Sequence, residues 1–149
     1  MKIIDNINAV LHQKGTQVWS ISPDATVFEA IQFMAEKNIG ALLVMKADQL
    51  LGMFSERDYT RKVALKGKSS KQTTVKEIMT TPIVTVRLEH TVEECMRLMT
   101  DHRVRHLPVV ENNRVIGVVS IGNLVNWIIS TQSSTIDQLE NYIAGQYPG

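Results

Sequence analysis

The chain contains one stretch twice, 65 residues apart and without a gap. Adding 65 to any position from Thr16 to Tyr59 lands on its counterpart, from Thr81 to Leu124. Identical pairs are Thr16/Thr81, Thr26/Thr91, Val27/Val92, Glu29/Glu94, Met34/Met99, Leu42/Leu107, Val44/Val109, Gly52/Gly117 and Ser55/Ser120. Scattered identities arise by chance, but identities that also keep apolar runs, turns and caps in register do not. A period of this size means two copies of one supersecondary unit. The 149 residues suffice for two such units around a shared core.

Each copy reads as β-α-β-β-α. Val18-Trp19-Ser20-Ile21 and Ile83-Val84-Thr85-Val86 alternate as short strands. Thr26 with Glu29, and Thr91 with Glu94, are capping boxes that open helices. The helical faces are Val27, Ala30, Ile31, Met34 and Val92, Cys95, Met96, Met99. Ala41–Met45 and Leu107–Val110 are continuous apolar runs, as in buried strands. Polar turns at 46–49 and 111–114 lead into a third strand, and helices follow near 56–65 and 121–130. Outside the copies, Ile3, Ile7, Val10 and Leu11 share one helical face that Gly15 ends. Residues 66–72 form a polar link, and Val75–Met79 reads as one helical turn before the second copy. Thr131-Gln132-Ser133-Ser134 reads as a break before a last amphipathic helix with Ile136, Leu139, Tyr142 and Ile143 on its face. The expected boundaries are 1–15 for the first helix, 16–65 and 81–130 for the repeats, 66–80 for the linker and 131–149 for the last helix.

Both copies close on a Gly, two strand-type residues, a Ser and then an acid or its amide: Gly52-Met53-Phe54-Ser55-Glu56-Arg57-Asp58, and Gly117-Val118-Val119-Ser120-Ile121-Gly122-Asn123. The change from strand to helix falls at the serine. Ser55 and Ser120 are therefore expected at helix starts, where unpaired N–H groups favour an anion. Asp58 reaches back over the same helix start. N–H groups for phosphate and a carboxylate for ribose hydroxyls suit a phosphorylated sugar. The same Ser-x-x-Asp pattern is also a helix capping box, which alone would account for both residues.

Composition narrows the function. Sixteen basic and fifteen acidic residues give a net charge of +1, so no global field favours nucleic acid or an anionic membrane. No apolar run nears the ~20 residues that span a bilayer. The early charges at Lys2 and Asp5 do not suit a signal peptide. Cys95 is the only cysteine, which fits a reducing compartment, and a cytoplasmic protein is expected. Cys95 falls on an apolar helix face as a core thiol. His102 and His106 are four apart, but Leu107-Pro108 starts a strand, so one helix cannot hold both toward a metal and no metal is expected. The basic stretch Arg57, Arg61, Lys62, Lys66, Lys68, Lys71 lacks interleaved aromatics beyond Tyr59 and reads as a solvated face rather than a nucleic-acid site. No paired catalytic carboxylates, nucleophile–base pattern or glycine-rich phosphate loop is present, so an enzyme is not expected.

The gapless pair, the run Val75-Lys76-Glu77-Ile78-Met79-Thr80-Thr81-Pro82, the run Val104-Arg105-His106-Leu107-Pro108-Val109-Val110 and both serine motifs resemble a tandem cystathionine-β-synthase (CBS) domain pair. The resemblance covers about residues 16–130. It implies an α+β fold of two repeats related by a pseudo-twofold axis, a stand-alone regulatory module, and a homodimer acting on an unknown regulated protein. It also implies clefts for an adenosyl ligand such as AMP, ADP, ATP, NAD or S-adenosylmethionine. Carried over by position, the first cleft uses Ser55, Arg57 and Asp58, with Gly40, Ala41 and Met53 near the adenine and Thr81, Pro82 and Ile83 opposite. The second uses Ser120 and Asn123, with Val104, Arg105 and Val118, walled by Thr16, Val18 and Trp19. Arg105, His106 and Arg61 are the phosphate candidates. Asn123 replaces the acid, and Asn has one acceptor oxygen where a carboxylate has two, so the Asp58 cleft is the stronger candidate. Trp19 has a second role open to it, in packing. Two other readings remain: a dimerisation module with empty clefts, and a nucleic-acid-binding accessory protein.

Overall fold

The computed structural model describes residues 5–143, with only the backbone for 132–139 and 141–143. Ile3 therefore lies outside the described residues, and so do the side chains of Ile136, Leu139, Tyr142 and Ile143. The order is α1 (Ile7–Lys14), β1 (Ser20–Ile21), α2 (Val27–Lys37), β2 (Ala41–Lys46), β3 (Gln49–Ser55), α3 (Glu56–Asp58) and a π-helix (Tyr59–Ala64). The chain continues with α4 (Val75–Ile78), α5 (Val92–His102), β4 (His106–Glu111), β5 (Arg114–Ser120) and α6 (Ile121–Ile143). This is an α+β fold of two repeats. Each centres on an antiparallel hairpin whose register slips at an equivalent place, Val44/Met45 and Val109/Val110. α2 and α5 start at Thr26 and Thr91, whose hydroxyls accept from the N–H of Glu29 and Glu94. They end on Asn38 and Arg103, both left-handed at φ 55°.

The repeats depart from one another at the opening strand. In the first, β1 pairs in parallel with β2, and the Leu43 N–H donates to the Trp19 carbonyl at 3.1 Å. The position of Leu43 is taken in the second repeat by Pro108, which has no N–H to give. The strand expected at 83–86 is accordingly reduced to a single bridge, Val86 to Val109. A second correction concerns the break expected at 131–134: α6 runs through it without interruption. The Thr131 hydroxyl donates to the Trp127 carbonyl one turn back (2.9 Å), so the polar side chain is satisfied inside the helix.

Two cores hold the fold together, and each is completed from outside its own repeat. Ile7, Val10 and Leu11 of α1 are buried with Val92, Cys95, Met99, Leu107, Val109, Val119 and Leu124 of the second repeat. Val75 and Ile78 of α4 are buried with Val27, Ala30, Met34, Leu42, Val44, Phe54 and Val63 of the first. The backbone contacts recur with the packing. The Ile7 N–H donates to the His90 carbonyl, Asn8 to Leu88, and Val92 to Asp5. Val75 donates to Ala25, Lys76 to Pro23, and Val27 to Thr73 in the same way. The helix that precedes each repeat thus docks on the other one. The fit is close: a Cβ on Gly52 would stand 2.7 Å from the Met79 sulfur, and one on Gly117 would stand 3.0 Å from Leu11 Cδ2.

Leu11→Ala is expected to destabilise the second repeat, although Leu11 precedes the first. Leucine-to-alanine changes in packed cores cost about 2–5 kcal/mol. Urea unfolding followed by tryptophan fluorescence checks this, because Trp19 and Trp127 report on opposite repeats. A Leu11→Ala protein as stable as wild type would remove α1 from that core.

Candidate functional site

The hairpins end beside one another, and a cavity of about 800 Å³ opens between the repeats. One side is built from Gly40, Ala41, Met53, Ser55, Glu56, Arg57, Asp58, Thr60, Arg61 and Lys62. The other comes from Thr80, Pro82, Ile83 and Val84, then from His102 to His106 at the turn between α5 and β4. Strand β3 delivers Met53 and Ser55 to the wall, and the chain turns into α3 at Ser55. The π-helix follows at once, and its wider turn spreads consecutive residues through smaller angles. Thr60, Arg61 and Lys62 all reach the cavity. Such π segments occur often at functional sites.

Asp58 is the buried centre of the first wall, 9% exposed. Its Oδ2 accepts from the Ser55 N–H at 3.0 Å and lies 3.1 Å from the Ser55 hydroxyl. Its Oδ1 accepts from the Thr80 hydroxyl at 2.8 Å and meets the Lys62 ammonium at 3.1 Å. A carboxylate has about four acceptor positions, and these contacts use them all. Lys62 also donates to the Ile78 carbonyl, at the end of α4, at 3.1 Å. One ammonium therefore ties the first repeat's acid to the lead-in of the second. Across the cavity, Arg57 Nη1 donates to the Arg103 carbonyl at 2.9 Å and joins the repeats directly.

The expected anion cradle of helix N–H groups is narrowed by the same geometry. The Glu56 N–H donates to the Gly40 carbonyl at 3.0 Å, and the Asp58 N–H to the Ser55 hydroxyl at 3.1 Å. In the second repeat, the Ile121 N–H goes to the Arg105 carbonyl and the Asn123 N–H to the Ser120 hydroxyl. Two first-turn donors of each repeat are thus consumed by the chain itself, and side chains carry the full positive charges in the cavity.

The sequence-derived site residues distribute differently than expected. Ser55, Arg57, Asp58, Gly40, Ala41, Met53, Pro82, Ile83 and Arg61 meet in one cavity. Val104, Arg105 and His106 join them there, where the first two were expected in the second cleft. Thr81 is absent from the lining and is exposed; its neighbour Thr80 makes the contact instead. Ser120 and Asn123 form a closed cap, with the Ser120 N–H on Asn123 Oδ1 at 2.8 Å. The Val118 carbonyl is occupied by Lys14 Nζ at 2.6 Å. Thr16 is exposed and Val18 half-buried. Trp19 packs edge-on against Phe33, with centroids 5.6 Å apart, and Lys37 lies 4.7 Å over its ring. Trp19 thus has packing partners within the first repeat. Sequence reasoning missed Lys62 as a site residue, although its i,i+4 spacing from Asp58 marks an ion pair on a helix.

Three titratable groups are perturbed by burial: Lys14, whose pKa is lowered, and Cys95 and His106. The Cys95 thiol is pushed up to about 12 by burial, with Glu94 adding to it, which keeps it a core thiol. His106 is lowered from 6.5 by burial, then by the charges of Arg105 and Lys14. His102 ends α5 and His106 begins β4, so the two imidazoles do not share a helix. Among the described residues, no group of three or more His, Cys, Asp or Glu side chains is placed to hold a metal. Among the same residues, no helix is long and apolar enough to cross a membrane.

The pattern of the CBS domain matches the chain at residues 15–65 and again at 75–130. The chain belongs to the CBS-domain family. It is 41% identical over 138 residues to the mitochondrial CBS domain-containing protein CBSX3 of Arabidopsis thaliana, covering 89% of this chain and 66% of that one. Among solved structures, it is similar to the CBS domain NE2398, with 50% identity, a TM-score of 0.81, and 84% of this chain and 98% of that one covered. A CBS-domain protein from Burkholderia ambifaria MC40-6, described as a candidate signal-transduction protein, shares 45% identity with a TM-score of 0.83. That match covers 85% of this chain and 96% of the other. The cavity thus lies between the two CBS repeats of a CBS pair.

The His106 shift has a pH consequence. With its folded-state pKa lowered, the folded protein takes up this proton later than the unfolded chain. Stability is expected to fall as the pH drops through about 6.5 and to go on falling until the folded pKa is passed. His106→Gln should flatten the stability curve between about pH 6.5 and 5, above the carboxylate range. Urea melts across that window measure it. An unchanged slope would mean that His106 charges freely in the folded state.

Proposed function

We propose that this CBS pair is a non-catalytic regulatory module that binds an adenosyl nucleotide, from the set AMP, ADP, ATP, NAD or S-adenosylmethionine, in the cavity between its repeats. The observation that carries the reading is Asp58, a buried carboxylate on the wall of an 800 Å³ cavity lined by both repeats. That volume is within the ~300–1,000 Å³ typical of small-molecule sites. Ala41, Met53, Pro82, Ile83 and Val84 supply apolar surface for a base beside it. The ribose hydroxyls take the Oδ1 positions that Thr80 and Lys62 now fill. Lys62 then lets go of Asp58 and of the Ile78 carbonyl together, so ligand binding loosens the end of α4. This exchange is the proposed route from ligand to conformational change or to a regulated partner. The competing reading, a dimerisation module with empty clefts, draws on the same four contacts to Asp58.

Asp58→Asn separates the two. It keeps the size of the side chain and copies Asn123. Hydrogen bonds to charged groups contribute ~1.5–3 kcal/mol, so nucleotide affinity should drop roughly ten- to hundredfold. Calorimetric titration with AMP, ATP and NAD, beside thermal melts without ligand, reads this. A variant that melts lower yet binds every adenosyl ligand as wild type does would leave Asp58 only a helix cap.

The module is proposed to work as a homodimer through its helices. Val125 and Ile129, one turn apart on α6, are exposed apolar side chains, as are Phe28 and Leu65. Ile129→Glu is expected to shift the protein from dimer to monomer in sedimentation at micromolar concentration. A wild type that sediments as a monomer, with and without AMP, would refute this.

A further inference from the structure

We propose that the cavity selects a nucleoside polyphosphate over a nucleoside monophosphate or a cationic adenosyl sulfonium, and that its phosphate chain lies between the arginines of the two repeats. The inference rests on the adenosyl-nucleotide reading above and narrows it. The chain as a whole is nearly neutral, at +1. Its cavity is not. Of the seven arginines in the sequence, four line this one space: Arg57, Arg61, Arg103 and Arg105. Lys62 makes a fifth cation, against the carboxylates of Glu56 and Asp58. Asp58 is already matched by Lys62.

Outside the cavity, two of the three other arginines find acids among the described residues, Arg114 being the exception. Arg87 pairs with Glu89 and Glu111, and Arg97 pairs with Glu93. Among the described residues, no carboxylate lies within ion-pairing distance of the four cavity arginines. Arg57 uses one N–H on the Arg103 carbonyl, which leaves most of its five donors unused. Guanidinium groups without acids present planar forks that match phosphate oxygens two at a time. A cleft with an excess of positive charge also focuses the field on an incoming anion.

The pseudo-symmetry shows that the fold of a single repeat does not require these charges. The counterparts of Arg57 and Arg61 in the second repeat are Gly122 and Asn126. The counterparts of Arg103 and Arg105 in the first repeat are Asn38 and Gly40. All four arginines therefore replace uncharged residues, two on each repeat, and all four face the same cavity. A demand of the fold would act on both copies alike. Arg103 even occupies a left-handed helix end, φ 55° and ψ 43°, where Asn serves in the first repeat and suits the backbone better. A monophosphate is too short and too weakly charged to use four such groups from both walls, and a sulfonium is repelled by them.

Calorimetry on the full chain with ATP, ADP, AMP, adenosine, S-adenosylmethionine and inorganic triphosphate tests the proposal. ATP is expected to bind at least about tenfold more tightly than AMP, with the gap closing at high salt. S-adenosylmethionine should bind no better than adenosine. The double variant Arg103→Asn/Arg105→Gln should lose about tenfold or more for ATP and triphosphate, a smaller factor for AMP, and change adenosine by less than about twofold. Its melting temperature without ligand should not fall, since Asn fits the left-handed position. Equal affinity for ATP and AMP in the wild type overturns the polyphosphate inference and leaves the adenosyl reading standing. An equal loss for both ligands in the variant does the same. Binding of triphosphate but of no adenosyl compound overturns the adenosyl reading and retains the anion site. Binding of none of the six overturns both.

Discussion

The structure depends on an exchange. α1 completes the core of the second repeat, and α4 completes the core of the first. Neither hairpin could bury its apolar face with only its own helices, and neither lead-in helix is long enough to persist in water alone. Burial of Ile7, Val10 and Leu11 on one side, and of Val75 and Ile78 on the other, settles both problems at once. It also fixes where the repeats stand relative to each other. The cavity exists because the exchange holds the ends of β3 and β4 side by side.

Asp58 then joins structure to site. As the partner of Ser55 it closes a capping box, and as the partner of Thr80 and Lys62 it reaches the chain that leads into the second repeat. Asn123, at the equivalent place, keeps the box with Ser120. The two copies have thus kept the same cap while diverging in charge. Pseudo-symmetry makes the divergence visible, because each residue carries its own control 65 positions away.

Much of this was legible in the sequence, and what was missed has physical causes. The gapless offset exposed both hairpins, both capped helices and both serine motifs, since local apolar period and capping chemistry decide them. The exchange of lead-in helices was hidden by a change of spacing. Val75, Lys76 and Thr73 stand where Ile7, Asn8 and Asp5 stand, three residues off the repeat period, so counting in steps of 65 passes over them. The strand at 83–86 looked sound on alternation, but its hydrogen bonds depended on a partner, and that partner is Pro108. The polar run 131–134 reads as a break, yet α6 continues through it with the Thr131 hydroxyl satisfied on the Trp127 carbonyl. Cleft membership was the least legible. Which cavity Val104 and Arg105 face depends on how the repeats dock, and no local pattern encodes that.

The exchange also changes what a domain means in this chain. By sequence, residues 66–72 look like the place to divide it into halves. By contacts, they are not a seam: the stretch before them carries α1, which belongs to the far core, and the stretch after them begins with α4, which belongs to the near one. A single protease cut in that loop is expected to sever the polypeptide and leave the particle whole, with each fragment gripping the other. Neither repeat is then a portable part. The pair is the smallest piece that can be inherited or transplanted whole.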